Sequence, residues 1–151
     1  MNNARARMTP KLIDSLYTEA MLLADEARSY FDGGGRDHRL GLEPMLRIAL
    51  SVEALKVTTR LMHIVAWLLT QRAIEAGELG RDQACSEARH LGDAPTSDPE
   101  AIAPLPEAAI QIIRASVDLF ARVGRLQNGV VRTEPSPSPA RTLLNRLERA
   151  F

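Results

Sequence analysis

From Glu43-Pro44 to about Gly77 the chain reads as one helix of roughly 33 residues, about 50 Å at 1.5 Å per residue. This stretch limits the possible folds more than any other, because it is apolar around most of its circumference. One stripe, Ile48, Val52, Leu55, Thr59, Met62, Ala66, Leu69 and Ala73, keeps a strict a/d heptad. A second, Leu50, Ala54, Val57, Leu61, Ile64 and Leu68, lies about half a turn away. A surface helix shows one apolar stripe, and a helix apolar over most of its surface is buried on several sides. Two amphipathic neighbours can cover one broad face. The remaining stripe calls for another chain, and Leu50, Val57, Leu61, Ile64 and Leu68 are the expected dimer interface.

The neighbours are legible on either side. Thr9-Pro10 reads as a cap and first helical position. Leu12, Ile13, Leu16, Tyr17, Ala20, Leu23, Ala24, Ala27, Tyr30 and Phe31 then share one arc of a first helix, which Asp32-Gly33-Gly34-Gly35 should stop. Glu78–Leu91 reads as a short helix closed by Gly92. Residues 93–104 hold Pro95, Pro99 and Pro104 among Asp93, Asp98 and Glu100, and read as an acidic loop without room for a helix. A third long helix begins near Leu105-Pro106 and should end at Asn128-Gly129. Pro135, Pro137 and Pro139 form an extended spacer. Beyond it Leu143, Leu144, Leu147 and Phe151 share a face suited to helix-in-groove recognition, or to folding back on the bundle.

No sustained period-2 alternation is present, so the expected fold class is all-α: an antiparallel three-helix bundle with a long central helix, a short extra helix and a flexible C-terminal tail. The expected organisation is a disordered N-terminus at 1–8 and a bundle domain at 9–126, with helices at about 9–31, 43–76, 79–91 and 105–126. The tail is 127–151, with a short amphipathic helix at 140–150. The chain is long enough, at 151 residues, for one domain with a real core.

Charge and chemistry exclude several classes of function. Nineteen basic residues balance nineteen acidic ones, which removes the positive field that nucleic-acid binders use. All the basic residues except Lys11 and Lys56 are arginine. A helix-turn-helix beginning at Ala73 and Gly77 fails because its inward positions would be Gln83 and Ser86. The single cysteine, Cys85, cannot close an internal disulfide. Met1–Thr9 lacks a following signal-peptide core, and the uncharged run Leu61–Gln71 is far short of the roughly 20 residues of a membrane span. A cytoplasmic location is expected. His38, His63 and His90 do not converge with other groups on a catalytic or four-ligand metal pattern, and Gly33-Gly34-Gly35 lacks the spacing of a phosphate loop. The sequence therefore predicts no enzyme, no cofactor and no metal.

What remains polar on the long helix is a narrow strip: Glu53, Lys56, Arg60, His63 and Gln71, with Trp67 among them. An aromatic beside arginine is the composition of a binding hot spot. The same strip could instead pack under the acidic loop. The expected partner-binding residues are Glu53, Lys56, Arg60, His63, Trp67 and Gln71, together with Leu143, Leu144, Leu147 and Phe151 of the tail.

The segment Ser51–Ala73, followed by Glu75-Ala76-Gly77-Glu78, resembles the signature of the RcdA family of alphaproteobacteria. The closest parts are Thr58-Thr59-Arg60-Leu61-Met62, Trp67-Leu68-Leu69 and Gln71-Arg72-Ala73. The resemblance spans most of residues 9–126, with its specificity concentrated in the long helix. It implies a dimeric, non-enzymatic adaptor that helps deliver regulatory proteins to the ClpXP protease in cell-cycle control. The implied partners are the ClpXP machinery, its cargo regulators and a second copy of the chain. The competing reading is a dimeric helical transcriptional or structural regulator that binds protein or DNA.

Overall fold

The chain folds around α3, Pro44–Glu75, the long helix that the apolar pattern demands. The computed structural model describes residues 2–78, 80, 90–133 and 146–150; those residues are helical or irregular, with no strand among them. Before α3 come α1, Asn2–Ser29, a π-helical turn at Tyr30–Gly34, and α2, Gly35–Leu40. After it come the one-turn α4, Pro99–Ile102, and α5, Glu107–Thr133. Residues 146–150 are helical and exposed.

α3 ends as its sequence predicts. Gly77 sits at φ 74°, Glu78 N–H donates to Ala73 O at 2.9 Å, and Gly77 N–H donates to Ile74 O at 3.1 Å. This pair of bonds, with a left-handed residue just past the helix, is a Schellman closure. A Cβ on Gly77 would meet nothing within 4 Å, so Gly77→Ala carries only the backbone cost. It should lower stability by about 1 kcal/mol in urea unfolding.

Four boundaries differ from the sequence expectation, each for a physical reason. α1 begins at Asn2 rather than Thr9, with Pro10 inside it. A proline withholds one N–H, and the alanines, arginines and methionine before it are adequate helix formers. The glycines at 33–35 do not stop the helical path, because a π-turn absorbs them. Tyr30 and Phe31, edge to face at 5.2 Å, hold that turn against the core. Asp98-Pro99 starts a helix instead of breaking one: the Asp98 carboxylate caps Glu100 N–H at 3.0 Å, with proline at the first position. α5 runs through Asn128-Gly129 to Thr133, since that dipeptide is a strong turn signal between strands and only a modest cost inside a helix. The tail boundary expected at 127 therefore moves. Residues 79 and 81–89, most of the expected short helix, and 134–145 of the tail lie outside the described residues.

The core is shared by α1, α3 and α5 and contains Ile13, Ala20, Leu50, Ile64, Leu68, Ile113, Leu119 and Val123. α1 runs antiparallel to α3: the Arg72 guanidinium meets Asp14 at 2.8 and 3.0 Å and lies 4.2 Å over the Tyr17 ring. α5 does not alternate. Arg60 pairs with Ser116, while Arg122, farther along α5, pairs with Glu19 of α1. With Asp14 opposite Arg72, that register fits only an α5 parallel to α3. The expected antiparallel arrangement holds for α1 and α3; the connection after Gly77 climbs back along α3, so α5 descends beside it.

Candidate functional site

The polar strip of α3 is where sequence reasoning expected a partner, and the structure places the connecting segment there instead. Glu53, Arg60 and Trp67 are buried, with Arg60 only 2% exposed. The Arg60 guanidinium donates from all three of its nitrogens. Nε and Nη2 donate to Pro95 O at 3.2 and 3.0 Å, Nη1 donates to Ser116 Oγ at 3.1 Å, and Nη2 also donates to Ser97 Oγ at 2.5 Å. The Ser97 hydroxyl donates in turn to Glu53 Oε2 at 2.5 Å, and Lys56 Nζ donates to Glu53 Oε1 at 3.2 Å. Burial pushes the Arg60 pKa below its ordinary value, and the Glu53 carboxylate pulls it back up.

His63 extends the same strap. Its Nδ1–H donates to Leu91 O at 2.6 Å, while Leu91 N–H donates to Gln127 Oε1 at 2.7 Å. Gly92, at φ 71°, turns the chain beside that ring, where an added Cβ would sit 3.4 Å from it. The irregular segment 91–97 makes no sheet or helix bonds of its own, so side chains from α3 and α5 satisfy its backbone. Of the two readings open for this strip, packing under the loop is the one the structure adopts. Glu53, Arg60 and Trp67 are withdrawn as a partner surface, because they are buried. Lys56, His63 and Gln71 are only half-buried.

The second correction concerns the dimer stripe. Leu50, Val57, Leu61, Ile64 and Leu68 are 6% exposed or less and fill the chain's own core. The heptad stripe is the one left open: Met45, Ile48, Val52, Leu55, Met62 and Leu69 are 44–74% exposed. Both stripes are apolar, and the sequence pattern assigned the second to the dimer interface. The one available signal was composition, since the open stripe holds methionine, threonine and alanine while the buried one is almost wholly leucine, isoleucine and valine. Leu147 is exposed in the 146–150 helix; Leu143, Leu144 and Phe151 lie outside the described residues.

Beside the open stripe, α1 and α3 enclose an apolar groove of about 850 Å³ that sequence reasoning missed. Its lining includes the small side chains Ala24, Ala27, Ala54 and Ala66 together with the exposed Leu55, Met62 and Leu69. At one end stand Phe31 and Asp32 of the π-turn with Arg28 and Arg39. Arg39 Nη2 makes a long 3.5 Å contact to Phe31 O, and its Nε is buried without a partner, the one such side-chain atom among the described residues. The Arg39 charge is felt at Tyr30, whose phenol is raised above its ordinary pKa by burial and drawn back by Arg39. Among the described residues no three His, Cys, Asp or Glu side chains gather to hold a metal, and no helix is long and apolar enough to cross a membrane.

Comparison with known proteins agrees with this architecture. A family described as a protein of unknown function (DUF1465) matches residues 4–151. The crystal structure of RcdA from Caulobacter crescentus CB15 is similar with a TM-score of 0.66 and 30% sequence identity, over 85% of this chain and 95% of that one. No curated protein matches the sequence. An all-helical chain with a dominant long helix, matched along nearly its whole length by that family and built like RcdA, belongs to the RcdA-like DUF1465 family.

Proposed function

We propose that this protein is a non-enzymatic adaptor that helps deliver regulatory proteins to the ClpXP protease in cell-cycle control, acting in the cytoplasm as a homodimer. The observation that carries the reading is the uncovered apolar surface of α3. A helix that buries one stripe in its own core and leaves another 44–74% exposed is shaped to meet other chains. The likeness to RcdA supports the same reading. With Leu50 and its neighbours committed to the core, the dimer seam moves to the outer edge of the open stripe, Ile48, Val52 and Leu55, where a heptad spacing suits helix-on-helix packing. Leu147 and the tail residues around it supply a second, separate contact for protease or cargo, and tethering such a contact raises its effective concentration without new surface.

The test is degradation of a panel of candidate cargo regulators by purified ClpXP, with required co-factors, in the presence and absence of this protein. At least one cargo half-life should shorten severalfold, and removal of residues 141–151 should abolish the gain. Unchanged half-lives across the panel would refute the adaptor reading. Light scattering at micromolar concentration should return twice the 16.6 kDa chain mass; a clean monomer would refute the dimer.

A further inference from the structure

We propose that the strap at 91–97 is an intramolecular ligand of α3 that opens as a local unit and gives way to an extended peptide of matching chemistry: an apolar residue followed six positions later by a hydroxyl. This exchange is independent of the adaptor reading. The course of the strap, the way α3 holds it and its own exposure carry the proposal.

The strap runs antiparallel to α3. Leu91 lies at His63, Pro95 at Arg60 and Ser97 at Glu53. The ten helical steps from Glu53 to His63 rise about 15 Å. Six steps of strap cover that distance at about 2.5 Å each, short of full extension, and the turn at Gly92 takes up the difference.

α3 reads this segment mostly by its backbone. His63 donates to Leu91 O, and Arg60 donates twice to Pro95 O. Bonds to main-chain carbonyls give affinity for any extended chain, and side-chain pockets give the choice among them. Two side chains make that choice here. The buried Leu91 reaches α5, its Cδ2 3.8 Å from where a Cβ on Gly124 would stand. The Ser97 hydroxyl bridges unlike charges, accepting from Arg60 Nη2 and donating to Glu53 Oε2. A hydroxyl does both at once; a carboxylate there would meet Glu53 and an ammonium would meet Arg60.

Little apolar burial holds the strap down. Leu91 is the one buried residue of its seven; Gly92, Asp93, Pro95 and Thr96 are exposed, and Ala94 and Ser97 are half-buried. Among the described residues no backbone-to-backbone bond involves it. A segment with few buried apolar contacts and no ladder of its own opens at a lower free energy than the core around it. Once it lifts, Arg60 and Glu53 lose Pro95 and Ser97, and groups built into such a network are satisfied again only by water or by a second chain that repeats the contacts. Glu53 and Arg60 are therefore no open surface; they become available only as the strap leaves.

Native-state hydrogen exchange on the full chain, followed in urea below the unfolding midpoint, tests the opening. Amides of 92–97 should exchange through a step with little urea dependence, while those of Leu50, Ile64 and Leu68 in the core follow global unfolding. A strap that exchanges only together with the core overturns the proposal. Fluorescence anisotropy with a labelled peptide of the strap's own sequence, residues 90–98, tests the exchange. The peptide should bind Ser97→Ala about tenfold more tightly than the wild-type protein, whose intact strap competes for the same strip. A second peptide, with alanine at the Ser97 position, should bind Ser97→Ala about tenfold more weakly than the first. Equal affinity of the two proteins, no binding to either, or indifference to the alanine in the peptide overturns the proposal as well.

Discussion

Arg60→Leu should destabilise the protein by about 3–5 kcal/mol, a large share of the roughly 5–15 kcal/mol that holds a domain folded. The substitution has an apolar side chain of smaller reach in place of a guanidinium that bonds Pro95, Ser97 and Ser116 at once. Glu53 would remain buried with Lys56 as its remaining charged partner. Arg60 reaches Glu53 through Ser97, and its loss takes the donor from Pro95 O and Ser116 Oγ while weakening the charge balance around Glu53; removing both members of a buried charged network is often nearer neutral than removing one. Adding Glu53→Leu to Arg60→Leu should therefore restore part of the lost stability, and a urea-unfolding double-mutant cycle measures it. Strict additivity of the two changes would show that the network does not act as a unit. Because the strap at 91–97 depends on these bonds, native-state hydrogen exchange in it should also rise sharply in the single variant.

The two apolar stripes of α3 should respond in opposite ways to substitution. Leu68→Ala, at a side chain with no exposure, should cost about 2.7–5 kcal/mol through lost transfer energy and a residual cavity. Its folded fraction should still dimerise. Ile48→Asp with Val52→Asp, both on the exposed stripe, should leave the monomer's unfolding midpoint nearly unchanged and convert the dimer to monomer in light scattering. If Leu68→Ala were silent and the aspartates unfolded the chain, the assignment of the stripes would be inverted. A dimer that survives both aspartates would move the seam elsewhere.

Much of this fold is written in the sequence, for reasons that are local. The 3.6-residue periodicity of 44–75 fixes a long helix and Gly77 fixes its end, because only glycine takes a positive φ there without strain. Ile13, Leu16, Ala20, Leu23 and Ala27 lie on the arc that the pattern assigns inward, and they are buried. Helix ends were less legible: the glycines at 33–35 and at 129 carry a modest local cost, and packing of Tyr30 and Phe31 or continuation of α5 outweighs it. Asp98-Pro99 is ambiguous in a sequence, since proline both ends one helix and begins another.

The candidate site was the least legible part, and Arg60 shows why. A charged residue on a helix face looks solvated until the course of a distant segment is known, and its partners Pro95, Ser97 and Ser116 lie 35 to 56 positions away. The apolar groove is harder still, because its lining is assembled from α1, the π-turn, α2 and α3. The sequence by itself determined that this chain is helical, that α3 dominates it and that one of two apolar stripes had to be left open. Only the tertiary structure decided which stripe, because the long connection returns along α3 and sends α5 parallel to it. That route buries Leu50, Ile64 and Leu68 together with the polar strip, and leaves Ile48, Val52 and Leu55 facing outward.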